Sequence, residues 1–600
     1  MVAPDLRAVL RNGRLLLQSA AQHAADDPAL LVMQVSRRMP FRARVLAGRV
    51  LHGAARRIAA GHGLAALGAF MAGDRSAALG LVEESGGHDR SRLCGEVAVL
   101  LGRMDLVGPQ DPPRTRARAA WARGQMSEAV AILDAAGLGE STYAQRLRSE
   151  LRILEPGFVL DLPPRRNALP VRSEADGPGV RVLHLLTNSL PHTQSGYSLR
   201  SHRILTALRD AGVSSMALTR TGYPVMVGKA AAAREDVVDG IRYRRTLPRR
   251  LAALPEGRLQ QEALEALRMV EELRPHVLHT TTDYRNALVA QAVSRATGIP
   301  WVLEVRGLME QTWVAFQADP DAREQAIQAQ KVQLVSAKEA ELAQAADAMV
   351  TLSATMADEL VSRGVDRAAI TIVPNGVDAS LLNDHVSPRE ARRELGIGHA
   401  EAVIVGAVSA LVDYEGFDVL LRAVAQIVHD ETVPGLMRQR LQVVLVGDGV
   451  AAPGLAQLAR ELGIADRVIL PGRVPRAQAR RWVEAMDLVV IPRVDRAVTR
   501  MVTPQKPIEA MALGRPVICS DLPALREVAT SANGDTGARL VPAEDADALA
   551  AAIVQECERV DGSVTSAAAP IAQERLWGEL VRNYLCIYER LRELPQEGTH

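Results

Sequence analysis

The sequence predicts two α/β lobes in tandem, each built on a parallel sheet, behind an all-helical region. Three observations carry this. The 600 residues exceed what one domain holds, since domains run to roughly 100–200 residues. From residue 180 onward, short β-branched runs alternate with amphipathic segments, the pattern of strands joined by crossover helices. Before residue 156 the chain is rich in Ala, Leu and Arg and nearly free of β-branched runs, which favours helix.

Residues 1–155 form the helical region. Gly73–Gly86 and Gly124–Gly137 share the placement of glycines, a serine and an apolar face, and Ala119–Gly124 reads as the end of a preceding helix. This resembles tetratricopeptide hairpins without a clean 34-residue period, so the region is helical-repeat-like. It serves either as a docking surface for a protein partner or as a helical cap on the rest of the chain.

Residues 156–179 hold Pro156, Pro163, Pro164, Pro170 and Pro178 with Gly157, Gly177 and Gly179, the composition of a linker. The first lobe, 180–376, reads as strands Val180–Leu186, Val277–Thr280, Trp301–Val305 and Ala348–Leu352, with helices Leu199–Ala211 and Asn286–Thr297 between them. The second lobe, 377–572, reads as strands Ala402–Ser409, Gln442–Val446, Val468–Leu470, Leu488–Ile491 and Val517–Cys519. Its helices are Asp418–His429, Leu455–Leu462, Gln478–Met486 and Pro507–Leu513. Residues 573–600 carry Trp577, Tyr584, Tyr588 and Leu591 on an amphipathic helix that can cross back onto the first lobe.

Composition removes several function classes. Seventy-one basic against 70 acidic residues leave a net charge of +1, which argues against a general nucleic-acid binder. Cys94, Cys519, Cys557 and Cys586 are scattered, so a disulfide framework or zinc cluster is not expected, and the thiols fit a reducing, cytoplasmic setting. No signal peptide is read at Met1–Arg14, and no run of about 18 uncharged apolar residues appears, so membrane contact is expected to be peripheral at most. Asp319-Pro320-Asp321 and Asp545-Ala546-Asp547 spell carboxylate pairs in helix-capping contexts, so no metal site is supported. Gly447 and Gly449 lack the third glycine of a dinucleotide fingerprint, with Ala452 in its place.

The stretch Val502–Ile518 places Lys506 and Glu509 where a helix opens after the proline-rich loop Pro504–Pro507. A helix N-terminus beside a lysine suits a diphosphate, and Glu509 one turn inside can accept hydrogen bonds from ribose hydroxyls. A solvated Lys and Glu at an ordinary loop-to-helix junction fits the spacing equally well.

Several pieces in order decide between these. Val373-Pro374-Asn375-Gly376-Val377-Asp378, Val444-Leu445-Val446-Gly447-Asp448-Gly449, Leu470-Pro471-Gly472-Arg473-Val474, Asp487–Pro492 and the Lys506–Glu509 stretch together resemble family 4 retaining glycosyltransferases of the GT-B fold, over roughly Val180–Leu594. Ser195–Arg200, Glu304–Glu310, Val412–Asp418 and Thr503–Pro507 resemble the family's exopolysaccharide- and exosortase-associated members. The resemblance implies two Rossmann-like lobes, an acceptor lobe and a donor-nucleotide lobe, with a cleft between them. It implies a nucleoside-diphosphate-sugar as donor substrate, no further cofactor, and a saccharide or lipid-linked acceptor.

The resemblance assigns donor binding to Gly196 and Tyr197 in the first lobe and to Gly447, Gly449, Gly472, Arg473, Val474, Arg493, Lys506 and Glu509 in the second. Lys506, Glu509, Arg306 and Glu310 are the candidate catalytic groups; Glu304, Arg306 and Glu310 either orient the transferred sugar or acceptor, or Arg306 sits in a buried ion pair with Glu304 or Glu310. Two departures matter. Many relatives carry Arg and Lys where this chain has Ala410 and Glu415, and Met501 stands where the first of the family's paired glutamates belongs. Lys506 is therefore the first candidate for the diphosphate, with Arg493, Arg496 and Arg500 as alternates. His279 ends a strand and is more often a structural group than a catalyst in such a place. Arg242, Arg244, Arg245, Arg249 and Arg250 form either a solvated charged face or an anionic-lipid contact.

The expected function is transfer of a sugar, with retention, in synthesis of cell-surface polysaccharide or glycoconjugate. Its rivals are a non-catalytic scaffold of the same shape and a sugar-nucleotide epimerase.

Overall fold

A computed structural model describes residues 6–26, 41–57, 61–85, 92–162, 179–317, 319–397, 401–531, 533–559 and 568–593. Most of the linker, including Pro163, Pro164, Pro170, Gly177 and Pro178, lies outside these residues.

Two sheets form the body. The first holds β1 (Arg181–Leu186), β2 (Ser214–Thr219), β3 (Glu235–Val238), β4 (Ile241–Arg245), β5 (Val277–Thr281), β6 (Trp301–Val305), β7 (Ala348–Thr351) and β8 (Ile370–Ile372), in the order β3-β4-β2-β1-β5-β6-β7-β8. All its pairings are parallel except β3 with β4. The second holds β9 (Val403–Val408), β10 (Leu441–Val446), β11 (Val468–Gly472), β12 (Leu488–Ile491), β13 (Val517–Ser520) and β14 (Arg539–Val541), all parallel, in the order β11-β10-β9-β12-β13-β14. The central strands β5, β6, β7, β12 and β13 are buried at every residue, which is why they are mostly apolar instead of alternating. The two α/β lobes expected from the strand–helix alternation are therefore present.

The span 1–155 divides into three. Helix Leu6–Asp26 lies on the first lobe, where Leu15 packs with Val225, Leu247 and Leu251 and Asn12 Nδ2 donates to the carbonyls of Ala230 and Ala232 at 2.7 and 2.8 Å. The helices of 41–101 close a core of their own around Leu67, Val82, Val97 and Leu101. The helices of 113–153 pack around Leu133, Tyr143 and Leu147 and join the first lobe through Met126, Ile153 and Leu154. The two similar segments become helices Arg75–Glu84 and Met126–Ala135, each following a glycine with positive φ, Gly73 at 89° and Gly124 at 81°.

The arginine cluster is internally neutralised. Arg242 and Arg244 pair with Glu235 and Glu272, while Arg245 is buried against Asp236 at 2.8 Å and the Leu190 carbonyl. Only Arg249 and Arg250 of the five are exposed and outside such pairs, so the group does not form a continuous anion-facing surface. The reason is strand geometry: alternate residues of β4 point to opposite faces.

Helix Trp577–Glu593 returns to the first lobe and buries Tyr584 and Tyr588 completely. Beneath it Glu304 accepts from Arg200 Nε at 2.9 Å, Arg306 Nη2 at 2.9 Å and the Tyr584 hydroxyl at 3.2 Å, with His279 Nε2 also at 3.2 Å. Burial works to raise the Glu304 pKa, but Arg306 and Arg200 hold it well below the carboxylate range. His279 also meets the Tyr588 hydroxyl at 2.6 Å, and burial lowers its pKa, the surroundings of a structural histidine.

Candidate active site

The carboxyl ends of β9, β10 and β12 carry three loops that close on one another, beside the loop leading into helix Lys506–Ala512. Ser409 N donates to Val446 O at 2.8 Å, Leu411 N to Asp448 O at 3.1 Å, and Val494 N to Tyr414 O at 3.1 Å. Two glycines make this approach possible. A Cβ on Gly447 (φ 146°) would lie 1.7 Å from Ser409 O, and one on Gly416 (φ 72°) 1.8 Å from Pro492 O. Gly472 O accepts from Gly447 N at 3.0 Å, which sets Arg473, exposed, and Val474, half-buried, beside the same loops.

Glu415 is the centre of the charge here. It accepts from Lys506 Nζ at 2.6 Å and from Arg493 Nη2 at 3.0 Å, and Lys506 also reaches Ser409 Oγ at 2.5 Å. Burial works to raise the Glu415 pKa; Arg493 and then Lys506 outweigh it and pull it down to about 2. By sequence alone Glu415 is an acid where many relatives carry a cation. In the structure it is the counter-ion that gathers two remaining cations into one place. Of the alternates, Arg500 is held by Asp495 at 2.5 Å, and Arg496 faces a different cavity.

A folded-state pKa below the ordinary 4.5 means the Glu415 contribution to stability is complete above about 4.5 and is lost as pH falls through 2. Glu415→Gln is expected to cost about 3 kcal/mol at pH 7, since it strips two clustered cations of their counter-charge. Urea midpoints measured against the parent at pH 7 and at pH 3 should show that gap narrow; an equal gap at both would refute the assignment.

Glu509 faces the first lobe. It accepts from Arg203 Nη1 at 2.7 Å, and Arg203 Nε lies 3.2 Å from Asp378. Arg203, on helix Gly196–Asp210, was missed in the sequence, although its spacing of three from Arg200 puts both on one helix face. Gly196 is exposed, with open space around the position of a Cβ, so its backbone can approach a ligand. Tyr197 is 47% exposed, and its hydroxyl lies 2.7 Å from where a Cβ on Gly307 would be, close to Val502 of the second lobe.

Arg306 and Glu310 are both matched by buried partners. Arg306 is buried, donating to Glu304, to Tyr197 O at 3.0 Å and to Ser201 Oγ at 2.7 Å, so it fixes the loop before helix Gly196–Asp210. Glu310 is buried against Arg363 at 2.7 Å. Arg306 directly after β6 and Glu310 on the helix that follows are both buried, and a buried charge is retained only with a partner. Asp319 and Asp545 cap helices by accepting from Ala322 N and Ala548 N. Among the described residues no metal-binding cluster of His, Cys, Asp and Glu occurs, and no helix is long and apolar enough to cross a membrane.

Residues 195–376 match the family described as glycosyl transferase 4-like domain, and residues 402–558 match glycosyl transferases group 1. The two lobes are glycosyltransferase lobes of the GT-B fold. They are similar to D-inositol 3-phosphate glycosyltransferase of Mycolicibacterium smegmatis, 31% identical over 252 residues, 41% of this chain and 53% of that protein. The homonymous protein of Nocardia farcinica is 34% identical over 209 residues, 34% of this chain and 43% of its own. The chain spans about half the length of these curated relatives. Among solved structures, sucrose-phosphate synthase from Thermosynechococcus elongatus superposes with a TM-score of 0.53 at 20% identity, over 68% of this chain and 99% of that one. The catalytic domain of starch synthase IV from Arabidopsis thaliana, bound to ADP and acarbose, gives 0.50 at 12%, over 70% and 100%. At these identities the likeness is one of fold.

Proposed function

We propose that the chain is a retaining glycosyltransferase that moves a sugar from a nucleoside-diphosphate-sugar to a saccharide or lipid-linked acceptor. The observation that carries this is the Lys506–Glu415–Arg493 cluster at the strand ends of the second glycosyltransferase lobe, with Glu509 bridged by Arg203 to the first. As the glycosidic bond breaks, negative charge develops on the departing diphosphate, and a preorganised cation there lowers the barrier. On this reading the diphosphate competes with Glu415 for Lys506 and Arg493. Glu509 accepts from ribose hydroxyls once Arg203 swings aside. Retention fits a cleft whose two donor-side carboxylates in this cluster, Glu415 and Glu509, both have cationic partners rather than standing as free bases.

The relatives' printed name, a glycosyltransferase of an inositol phosphate, supports a polyhydroxylated acceptor. The resemblance to exopolysaccharide- and exosortase-associated enzymes adds a role in cell-surface polysaccharide synthesis; with no spanning helix among the described residues, membrane contact is peripheral at the inner face, and the helical N-terminal region adds a protein partner. Exposed Leu46 and Val50, on the hairpins of 41–101, are the surface for that partner.

A calorimetric panel of nucleotide sugars, followed by mass spectrometry with and without a lipid acceptor, tests the proposal. One donor should bind, and its sugar should appear on an acceptor. A chain that binds none is a scaffold, and a donor changed without acceptor marks an epimerase.

A further inference from the structure

At one edge of the cleft a cavity of about 320 Å³ opens between helices Met309–Ala315 and Pro320–Ile327 of the first lobe and helix Ala497–Met501 of the second. Its walls are largely apolar, with Val314, Ala315 and Ile327 on one side and Val498 on the other. Into this lining come two guanidinium groups from opposite lobes, Arg323 and Arg496. Their side-chain bonds are to carbonyls alone: Arg323 Nη1 donates to Gln317 O at 3.3 Å and Arg496 Nη1 to Asp495 O at 3.0 Å. Among the described residues neither has a carboxylate within 4.0 Å, in a chain where most arginines near the cleft do. Glu324, the acid on the lining, is exposed.

Two like charges facing each other across a partly apolar cavity repel, and burial adds to the cost. Both effects lower the Arg323 pKa, burial first and Arg496 second, against Asp319, Asp413 and Glu544 farther off. An anion between them removes the repulsion and gains charge-assisted hydrogen bonds on both sides. The cavity also adjoins the donor cluster. Arg496 follows Arg493 by three residues, and Tyr414, next to Glu415, meets Phe316 edge to face with ring centroids 5.8 Å apart.

We propose that this cavity seats a phosphate-bearing acceptor, its phosphate between Arg323 and Arg496 and its apolar part against Val314, Ile327 and Val498. The acceptor role rests on the transferase reading given above; the anion site does not. The same chemistry belongs to a lipid-borne phosphate and to a water-soluble phosphorylated sugar. Ile327, on the lining and 50% exposed, accommodates either.

Calorimetry on the intact chain with phenyl phosphate, and with phenol as the neutral control, reads the site. Arg323→Gln and Arg496→Gln should each weaken phenyl phosphate about tenfold, the loss of one charge-assisted contact, and leave phenol unchanged. Arg323→Gln should leave the affinity for the panel's nucleoside diphosphate unaltered. Phenyl phosphate binding that is absent from the parent, indifferent to both substitutions, or lost in step with the nucleotide overturns the proposal. Arginine-dependent sedimentation with phosphatidic-acid vesicles identifies a lipid-borne phosphate, and phenyl phosphate binding without sedimentation identifies a soluble one. A parent that binds phenyl phosphate through both arginines but no nucleotide sugar refutes the transferase reading while leaving the anion site in place.

Discussion

Lys506→Ala is expected to lower donor turnover by about 100-fold or more while the chain stays folded. Removing one group that stabilises charge developing in a transition state costs on the order of 100–1,000-fold in rate, and Lys506 is the cation proposed to meet that charge at the helix entrance. Folding survives because Glu415 keeps its bond to Arg493 at 3.0 Å when the lysine is gone. Glu509→Ala should act differently. It removes a group proposed to hold the ribose in ground and transition state alike, so the donor KM rises more than kcat falls. Steady-state kinetics with the donor found in the nucleotide-sugar panel, alongside a urea midpoint, separates the two effects. Turnover unchanged in Lys506→Ala would sink the donor-pocket assignment.

Glu304→Ala is the second large expectation, and it concerns stability. The glutamate is fully buried and is the common counter-ion of Arg200 and Arg306, so its loss leaves two buried guanidinium groups uncompensated. Breaking one such buried pair costs about 3–5 kcal/mol, and two arginines share this one. The damage should show where helix Trp577–Glu593 sits, because Arg200 and Glu304 both bond Tyr584. Urea unfolding measures the total, and hydrogen exchange across residues 577–593 localises it. A midpoint shift under about 0.5 kcal/mol, with protection intact there, would show that the network is dispensable.

The fold was legible where strands are buried on both faces, as at Leu441–Val446 and Leu488–Ile491, because burial there selects apolar, β-branched residues almost throughout. It was illegible at β4, whose Ile-Arg-Tyr-Arg-Arg reads as a charge cluster, and at β2, where Ser214 and Ser215 hide the strand. Helix Lys506–Ala512 begins one residue before the position Pro507 suggested. At the candidate site, Lys506 and Glu509 stood out through their place at a helix opening. Their partners Glu415 and Arg203 did not, since each lies about 91 and 306 residues away in sequence and no local pattern encodes a pairing made by the tertiary fold. Arg306 and Glu310 read about as well as ion-paired groups as substrate-facing ones, because a sequence shows charge without showing whether it is already matched.

The chain crosses between lobes twice, at Val377 and again near Leu576. The crossings lie side by side, with Val377 N donating to Arg575 O at 2.8 Å and Trp577 N to Val377 O at 3.1 Å. Arg200 clamps the first crossing from below through the carbonyls of Val373 and Pro374, both at 2.8 Å. Two short spans bonded to each other give the lobes one shared seam instead of two separate tethers, so a displacement of either lobe has to deform both spans together. Asp378, one residue past that seam, is ion-paired to Arg203 at 3.2 Å, which ties the seam to the same arginine that bonds Glu509.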